Sequence, residues 1–206
     1  QPDFGTFVIL LIVGVAILFT WGLKWRYIVA SILTSLPVFY FLVWMKDYRR
    51  ARILAVLDPW SDPGQKGFQV IQSMLSFHSG GITGSGLGQS QGKLFFLPEA
   101  HTDFTLAILA EEMGFVGFAF VLGLYGFIVL RGFQISLKAQ EPFSRTVALG
   151  LIFTFGLSVI INSGVVMGLL PPKGLTLPFL SYGGSSLIVF AFLFGMLLNI
   201  EANQRV

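Results

Sequence analysis

Leu94-Phe-Phe-Leu-Pro-Glu99-Ala-His101-Thr-Asp103-Phe104, continued by Thr105-Leu-Ala-Ile-Leu-Ala-Glu111-Glu112-Met-Gly114, is where a long polar loop gives way to a hydrophobic helix. Glu99, His101 and Asp103 cluster at that boundary, and Glu111 and Glu112 follow inside the apolar run. Ionisable side chains in such a run are costly to keep and usually functional. The boundary therefore marks both the start of a membrane span and the candidate site. Asp103 also suits a helix N-cap, where a carboxylate accepts a backbone hydrogen bond and meets the positive end of the helix dipole. In a continuous helix Glu111 lies about 80° round from Asp103 and about 12 Å below it, with Glu112 near the opposite side. His101 is the weaker candidate, because an interfacial histidine serves as a hydrogen-bonding spacer more often than as a base.

The composition outside this stretch is that of a membrane protein. Hydrophobic residues make up 54% of the chain and charged residues 11%, against about 25% charge in an ordinary soluble domain; the mean hydropathy is +0.79. There is no cysteine, so neither a disulfide framework nor a thiolate metal site can form. A formal charge of +3, scattered along the chain, excludes a nucleic-acid partner as the leading reading. The chain opens on Gln1, which points to a piece of something longer.

Five runs are long and apolar enough to predict an all-α, polytopic membrane fold: about 4–23, 27–45, 103–130, 147–170 and 182–200. Residues 46–102 form a long polar segment between the second and third runs. The positive-inside count is nearly tied, with Lys24, Arg26, Arg131, Lys138, Arg145 and Arg205 on one side and Lys46, Arg49, Arg50, Arg52, Lys66, Lys93 and Lys173 on the other. Within the polar segment, Asp58-Pro-Trp-Ser-Asp-Pro-Gly64 is turn-rich. Phe68, Ile71, Met74 and Leu75 then recur at helical spacing, predicting a short amphipathic helix in the membrane interface. Gly80, Gly81, Gly84, Gly86 and Gly88 follow without the preceding strand or the Gly-Lys-Ser/Thr of a phosphate loop. They read as a flexible turn that folds the loop back on the membrane.

A second constellation is Leu170-Pro-Pro-Lys173-Gly-Leu-Thr-Leu-Pro-Phe-Leu-Ser181-Tyr-Gly183-Gly184-Ser185-Ser186. Prolines hold a lone ammonium at a tight turn, and small residues then open the last span with backbone N–H groups able to meet an anion. Close helix packing would also select such small residues. Lys173 together with Ser181, Gly183, Gly184, Ser185 and Ser186 suits a pyrophosphate.

Leu97-Pro-Glu-Ala-His-Thr-Asp-Phe104 and Lys173-Gly-Leu-Thr-Leu-Pro-Phe-Leu-Ser-Tyr-Gly-Gly-Ser-Ser186 closely resemble the shape, elongation, division and sporulation (SEDS) family, as do Gln1-Pro-Asp-Phe-Gly-Thr6 and Pro59-Trp-Ser-Asp-Pro63. The wording is nearer the division and sporulation branch than the elongation branch, and the resemblance covers essentially the whole chain. It implies a peptidoglycan glycosyltransferase of the bacterial cytoplasmic membrane that polymerises lipid II, with undecaprenyl pyrophosphate as leaving group. It implies a class B penicillin-binding protein and other division proteins as partners. It also implies ten spans with both termini cytoplasmic, so that these five are the sixth to tenth, residues 46–102 are the extracellular loop, and the C-terminus is cytoplasmic. The family's essential loop aspartate falls on Asp103.

On that reading Asp103 is the base, or orients the nucleophile or a cation. Glu99, His101, Glu111, Lys173, Ser181, Gly183, Gly184, Ser185 and Ser186 contact substrate, with Arg49, Arg50 and Arg52 as further phosphate partners. The sequence demands no cofactor. A divalent cation, Mg²⁺ or Mn²⁺, is compatible with the chemistry, and Asp103 is the ligand it would use. Two rivals use the same residues: a transporter that flips lipid-linked precursor, for which Glu111 and Glu112 serve equally well, and a non-catalytic scaffold for a transpeptidase. The 206-residue chain alone is expected to be inactive, because the first five spans of the family fold are missing.

Overall fold

The computed structural model describes residues 4–44, 56, 58–64, 67–90, 101–172 and 174–204, with the side chains of residues 4, 5, 38, 39 and 42–44 left aside. The described residues are helical with no strand: α1 (Phe4–Thr20), α2 (Trp25–Trp44), a 3₁₀ turn (Pro59–Ser61), α3 (Phe68–Gly80), α4 (Thr105–Lys138), α5 (Pro142–Val166) and α6 (Gly184–Asn203). The apolar runs dictate this, since a backbone among hydrocarbon must satisfy its own hydrogen bonds. By length and composition α4, α5 and α6 can cross a membrane, and α1 carries a shorter apolar stretch, Thr6–Thr20. Helix α4 continues past Leu130 to Lys138. Helix α5 stops at Val166, short of the expected Leu170, where Gly168 turns the chain at φ 73°. That turn fits beneath α3, because a Cβ on Gly168 would strike the methyl of Met74.

Helix α5 is the centre of the bundle. It packs most extensively on α4 and also against α1 and α6. Phe155, 1% exposed, stacks edge-on or tilted against Tyr125 of α4, Phe190 and Phe194 of α6, and Phe179 of the preceding loop. Gly132 lets α4 approach α5 so closely that a Cβ there would enter the side chain of Ile152. Small residues at such crossings allow the backbone contact on which helix association in a bilayer depends.

The two ends of the bundle differ in chemistry. At one end Trp21 Nε1 donates to Thr146 Oγ1 (2.8 Å), Ser136 Oγ to the Arg145 carbonyl (3.2 Å), and Gln204 Nε2 to the Ile135 carbonyl (2.8 Å). Arg131 pairs with Glu201 at 3.7 Å nearby. This end gathers the C-termini of α1, α4 and α6 with the N-terminus of α5, and so collects Lys24, Arg26, Arg131, Lys138 and Arg145. The opposite end holds the start of α4, the end of α5, residues 171–182 and the start of α6.

Residues 67–90 pack onto that opposite end, and they correct one expectation, that of the glycine run. Helix α3 buries Val70, Ile71, Ser73, Ser76 and Gly80, while Met74 and Leu75 stay exposed. Its inward face is chosen by close approach as much as by hydrophobicity: Ser73 Oγ donates to the Val166 carbonyl (2.5 Å), Phe77 meets Phe118 edge-on at 5.0 Å, and Gly80 lies on the Ala110 carbonyl. The glycine run, expected as a flexible turn, is instead locked into a break in α4. At Gly114 (φ 67°, ψ −169°) the helix is interrupted. Phe115 and Val116 donate their amides to the carbonyls of Gly81 (2.9 Å) and Ile82 (3.2 Å), and the Glu111 and Glu112 carbonyls accept from Ser85 (2.9 Å) and Gly86 (3.1 Å). A Cβ on Gly84 would fall on the Glu112 carbonyl, and one on Gly114 on the Ile82 carbonyl. The glycines are there for backbone contact.

Candidate functional site

Asp103 lies one residue ahead of the cap of α4. The cap position is taken by Phe104, which makes no side-chain capping bond, so Asp103 stands beside the cap and not in it. The turn before the helix is tied through His101, whose carbonyl accepts from Thr105 Oγ1 (2.9 Å) and from the Tyr182 amide (2.9 Å). His101 is exposed, and Asp103 is half-buried.

The two motifs meet here. A Cβ built on Gly174 would stand 3.7 Å from Asp103 Oδ2, so the carboxylate lies beside the loop that follows Pro171 and Pro172. Asn162 of α5 donates from Nδ2 to the Asp103 carbonyl (3.1 Å) and to the Leu175 carbonyl (2.7 Å). Tyr125 of α4 donates to the Pro178 carbonyl at 2.5 Å. The chain turns over residues 177–181, with Leu180 and Ser181 donating to the Leu177 carbonyl (3.3 and 3.1 Å), and Phe179 takes a left-handed φ of 64° there. The apolar grip of its ring on Phe155, Phe190 and Phe194 holds it in that conformation.

Helix α6 opens without a side-chain cap, so the amides of its first turn have no intrahelical acceptor. Ser181 Oγ accepts from the Leu177 amide and Ser186 Oγ from Thr176 Oγ1, both at 2.9 Å. Each of these hydroxyls is an acceptor in that bond and keeps its own proton to donate. Gly183 stands against Thr176 and Ser186, where a Cβ would be crowded, while Gly184 and Ser185 are exposed. A positive dipole end with small, exposed residues is chemically an anion site.

Glu111 is not at this opening. It is 4% exposed, and its Oε2 accepts from the buried Ser90 Oγ at 2.6 Å while its carbonyl serves Ser85. Both of these bonds come from residues 85–90. Glu99 and Lys173, together with Arg49, Arg50 and Arg52, lie outside the described residues. Asn162, Tyr125 and Ser90 escaped the sequence reading. For Asn162 a signal existed, an amide alone in the apolar run Val147–Leu170; Tyr125 and Ser90 look ordinary in their surroundings. Among the described residues no three His, Cys, Asp or Glu side chains gather into a metal-binding group.

The chain matches, over residues 1–206, the cell cycle protein family of FtsW, RodA and SpoVE. It is 49% identical over 205 residues to the probable peptidoglycan glycosyltransferase FtsW of Geobacter metallireducens, covering 100% of this chain and 55% of that one. It is 43% identical over 210 residues to the peptidoglycan glycosyltransferase MrdB of Escherichia coli K12, covering 100% and 56%. Its fold superposes with a TM-score of 0.78 on a chain of a solved peptidoglycan synthase complex that coordinates polymerization and crosslinking, at 36% identity and covering 99% and 57%. The chain therefore spans about half the length of the relatives it matches.

Proposed function

Because this chain belongs to the FtsW/RodA/SpoVE cell cycle protein family, we propose that the complete protein is a membrane peptidoglycan glycosyltransferase that polymerises lipid II during division, and that Asp103 is its catalytic base. The observation that carries the assignment is the meeting of Asp103 with Gly174, which brings a carboxylate and a candidate anion site to one end of the bundle.

Glycan extension joins the 4-hydroxyl of one lipid-linked sugar to the anomeric carbon of another, and a lipid pyrophosphate departs. The leaving group is already good, so the reaction chiefly needs a proton acceptor and stabilisation of the departing anion. Asp103 takes the hydroxyl proton. The first amides of α6, the donor protons of Ser181 and Ser186, and Lys173 hold the pyrophosphate. A divalent cation would take Asp103 with phosphate oxygens and water in its shell; among the described residues Asp103 belongs to no three-residue ligand group. Glu111, on which a transporter reading leans, is closed over by residues 85–90.

We assign the end carrying Lys24, Arg26, Arg131, Lys138 and Arg145 to the cytoplasm on the family resemblance, since the charge count is nearly tied and a long loop such as 46–102 translocates largely regardless of its charge. The Asp103 end then faces outward, where a class B penicillin-binding protein would cross-link the strands. The test reconstitutes the full-length protein with its transpeptidase partner and lipid II, beside Asp103→Asn and Lys173→Ala. Polymer from the wild type, none from Asp103→Asn and weak polymer from Lys173→Ala is expected. Polymer of normal length from Asp103→Asn removes the base assignment. Lipid that crosses the bilayer unpolymerised replaces the enzyme with a transporter.

A further inference from the structure

We propose that Asn162 is a positioning residue of the glycosyl-transfer site, a staple that sets the distance between the Asp103 carboxylate and the loop that runs from Gly174 to the start of α6. The proposal rests on the glycosyltransferase reading above. Asn162, about one turn before the end of α5, is 2% exposed, and its Nδ2 stands between two carbonyl oxygens, Asp103 at 3.1 Å and Leu175 at 2.7 Å. An amide nitrogen carries two protons, one for each. Reversing the amide would set Oδ1 against both carbonyls, so the neighbours decide its orientation.

The two carbonyls belong to segments outside the helices. One precedes α4 by two residues; the other follows Gly174, whose Cβ position is 3.7 Å from Asp103 Oδ2. A single side chain of α5 thus fixes both walls of the gap in which base and leaving group must be registered. The His101 carbonyl to Tyr182 amide bond closes the same gap from its outer side. Loss of the inner staple frees Asp103 and Leu175 to separate while the helices below keep their packing.

Asn162 is also a costly choice for stability alone. Its Oδ1 is buried with no hydrogen-bond partner among the described residues, a state that an apolar side chain of similar volume would avoid. Side chains that violate local stability in this way are characteristic of sites that need geometry.

The test uses the full-length protein with its transpeptidase partner in lipid nanodiscs, lipid II as substrate, and Asn162→Leu, Asn162→Asp and Asn162→Gln. Leucine keeps most of the volume and loses both donors. Aspartate turns an acceptor toward two acceptors. Glutamine keeps both donors on a longer stem. We expect kcat to fall by about 10²-fold in the leucine and aspartate variants, the cost of misplacing reacting groups by an ångström. KM for lipid II stays close to wild type, and glutamine restores a substantial part of kcat. A merely structural role would lower melting temperature and folded yield without changing kcat per folded molecule, and that result overturns the proposal. Asn162→Ser opens space rather than crowding it, and serves if the larger replacements do not fold; full kcat in that variant overturns the proposal as well. Wild-type protein that makes no polymer sinks the glycosyltransferase reading itself. An active wild type, an inactive Asp103→Asn and a fully active Asn162→Leu sink the staple alone.

Discussion

The amide of Phe115 donates to the carbonyl of Gly81 at 2.9 Å, although in an unbroken helix it would reach Glu111, four residues back. The neighbouring amide of Val116 goes to Ile82 instead of Glu112, and the two deserted carbonyls are served by Ser85 and Gly86. Two helical bonds are exchanged for four bonds to a loop. The exchange gives partners to both redirected amides and both deserted carbonyls, which is what makes a break tolerable inside an apolar bundle.

Gly114→Ala should therefore be strongly destabilising. Its φ and ψ lie in a region open almost only to glycine, worth about 1–3 kcal/mol by itself, and the new methyl would press on the Ile82 carbonyl and the Gly84 amide. Gly123→Ala in the same helix meets nothing within 4 Å and should be neutral or slightly stabilising, by up to about 1 kcal/mol from helix propensity. Thermal melting of the purified variants compares them; equal melting temperatures would mean that α4 runs straight through.

Ser90→Ala should be destabilising by about 0.5–1.5 kcal/mol, the usual worth of one hydrogen bond. The serine hydroxyl donates to the buried Glu111 side chain at 2.6 Å, and alanine removes that donor. An unchanged melting temperature would show that this bond adds nothing to the packing of residues 85–90 on α4.

Asp103→Asn should remove polymerisation without removing stability. Asparagine is nearly the same size as aspartate, and the bond from Asn162 goes to the Asp103 backbone carbonyl, which the substitution keeps, so the melting temperature should stay within a few degrees of wild type. A large drop in melting temperature together with the lost activity would mean that the carboxylate holds the fold and that its chemistry is untested by this variant.

Tyr125→Phe removes the hydroxyl that donates to the Pro178 carbonyl and leaves the ring against Phe155. The net cost should be about 0.5–1.5 kcal/mol, the usual worth of one such bond. Its local signature is faster amide exchange in residues 177–181, read by hydrogen–deuterium exchange. Unchanged protection there would show that the aromatic cluster alone holds the turn.

How much of this was legible in advance depends on the range of the forces involved. Runs such as Phe115–Leu130 and Val147–Val166 specify helices on their own, because hydrocarbon leaves a backbone few other ways to pair its polar groups. The membrane class, the two polar motifs and their family resemblance were likewise readable residue by residue. Glycine between Met113 and Phe115 carried no such message. In a membrane helix it serves packing, kinking or nothing, and only a second segment 30 or so residues earlier in the chain, with carbonyls and amides to offer, decides for a break. The inward face of α3 was beyond the sequence for the same reason: Ser73 turns inward because the Val166 carbonyl approaches closely, and Gly80 because the Ala110 carbonyl does, neither of which hydrophobic spacing reveals.

The amino-acid sequence by itself determined that this chain is a helical membrane protein and which polar residues interrupt its apolar runs. The tertiary structure alone decided that Asp103 stands beside Gly174, that Glu111 turns to Ser90, and that Asn162 joins the two motifs across sequence separations of 59 and 13 residues. Helix formation is settled within a turn or two of the backbone, whereas a hydrogen bond between distant segments exists only once packing has brought donor and acceptor within about 3 Å.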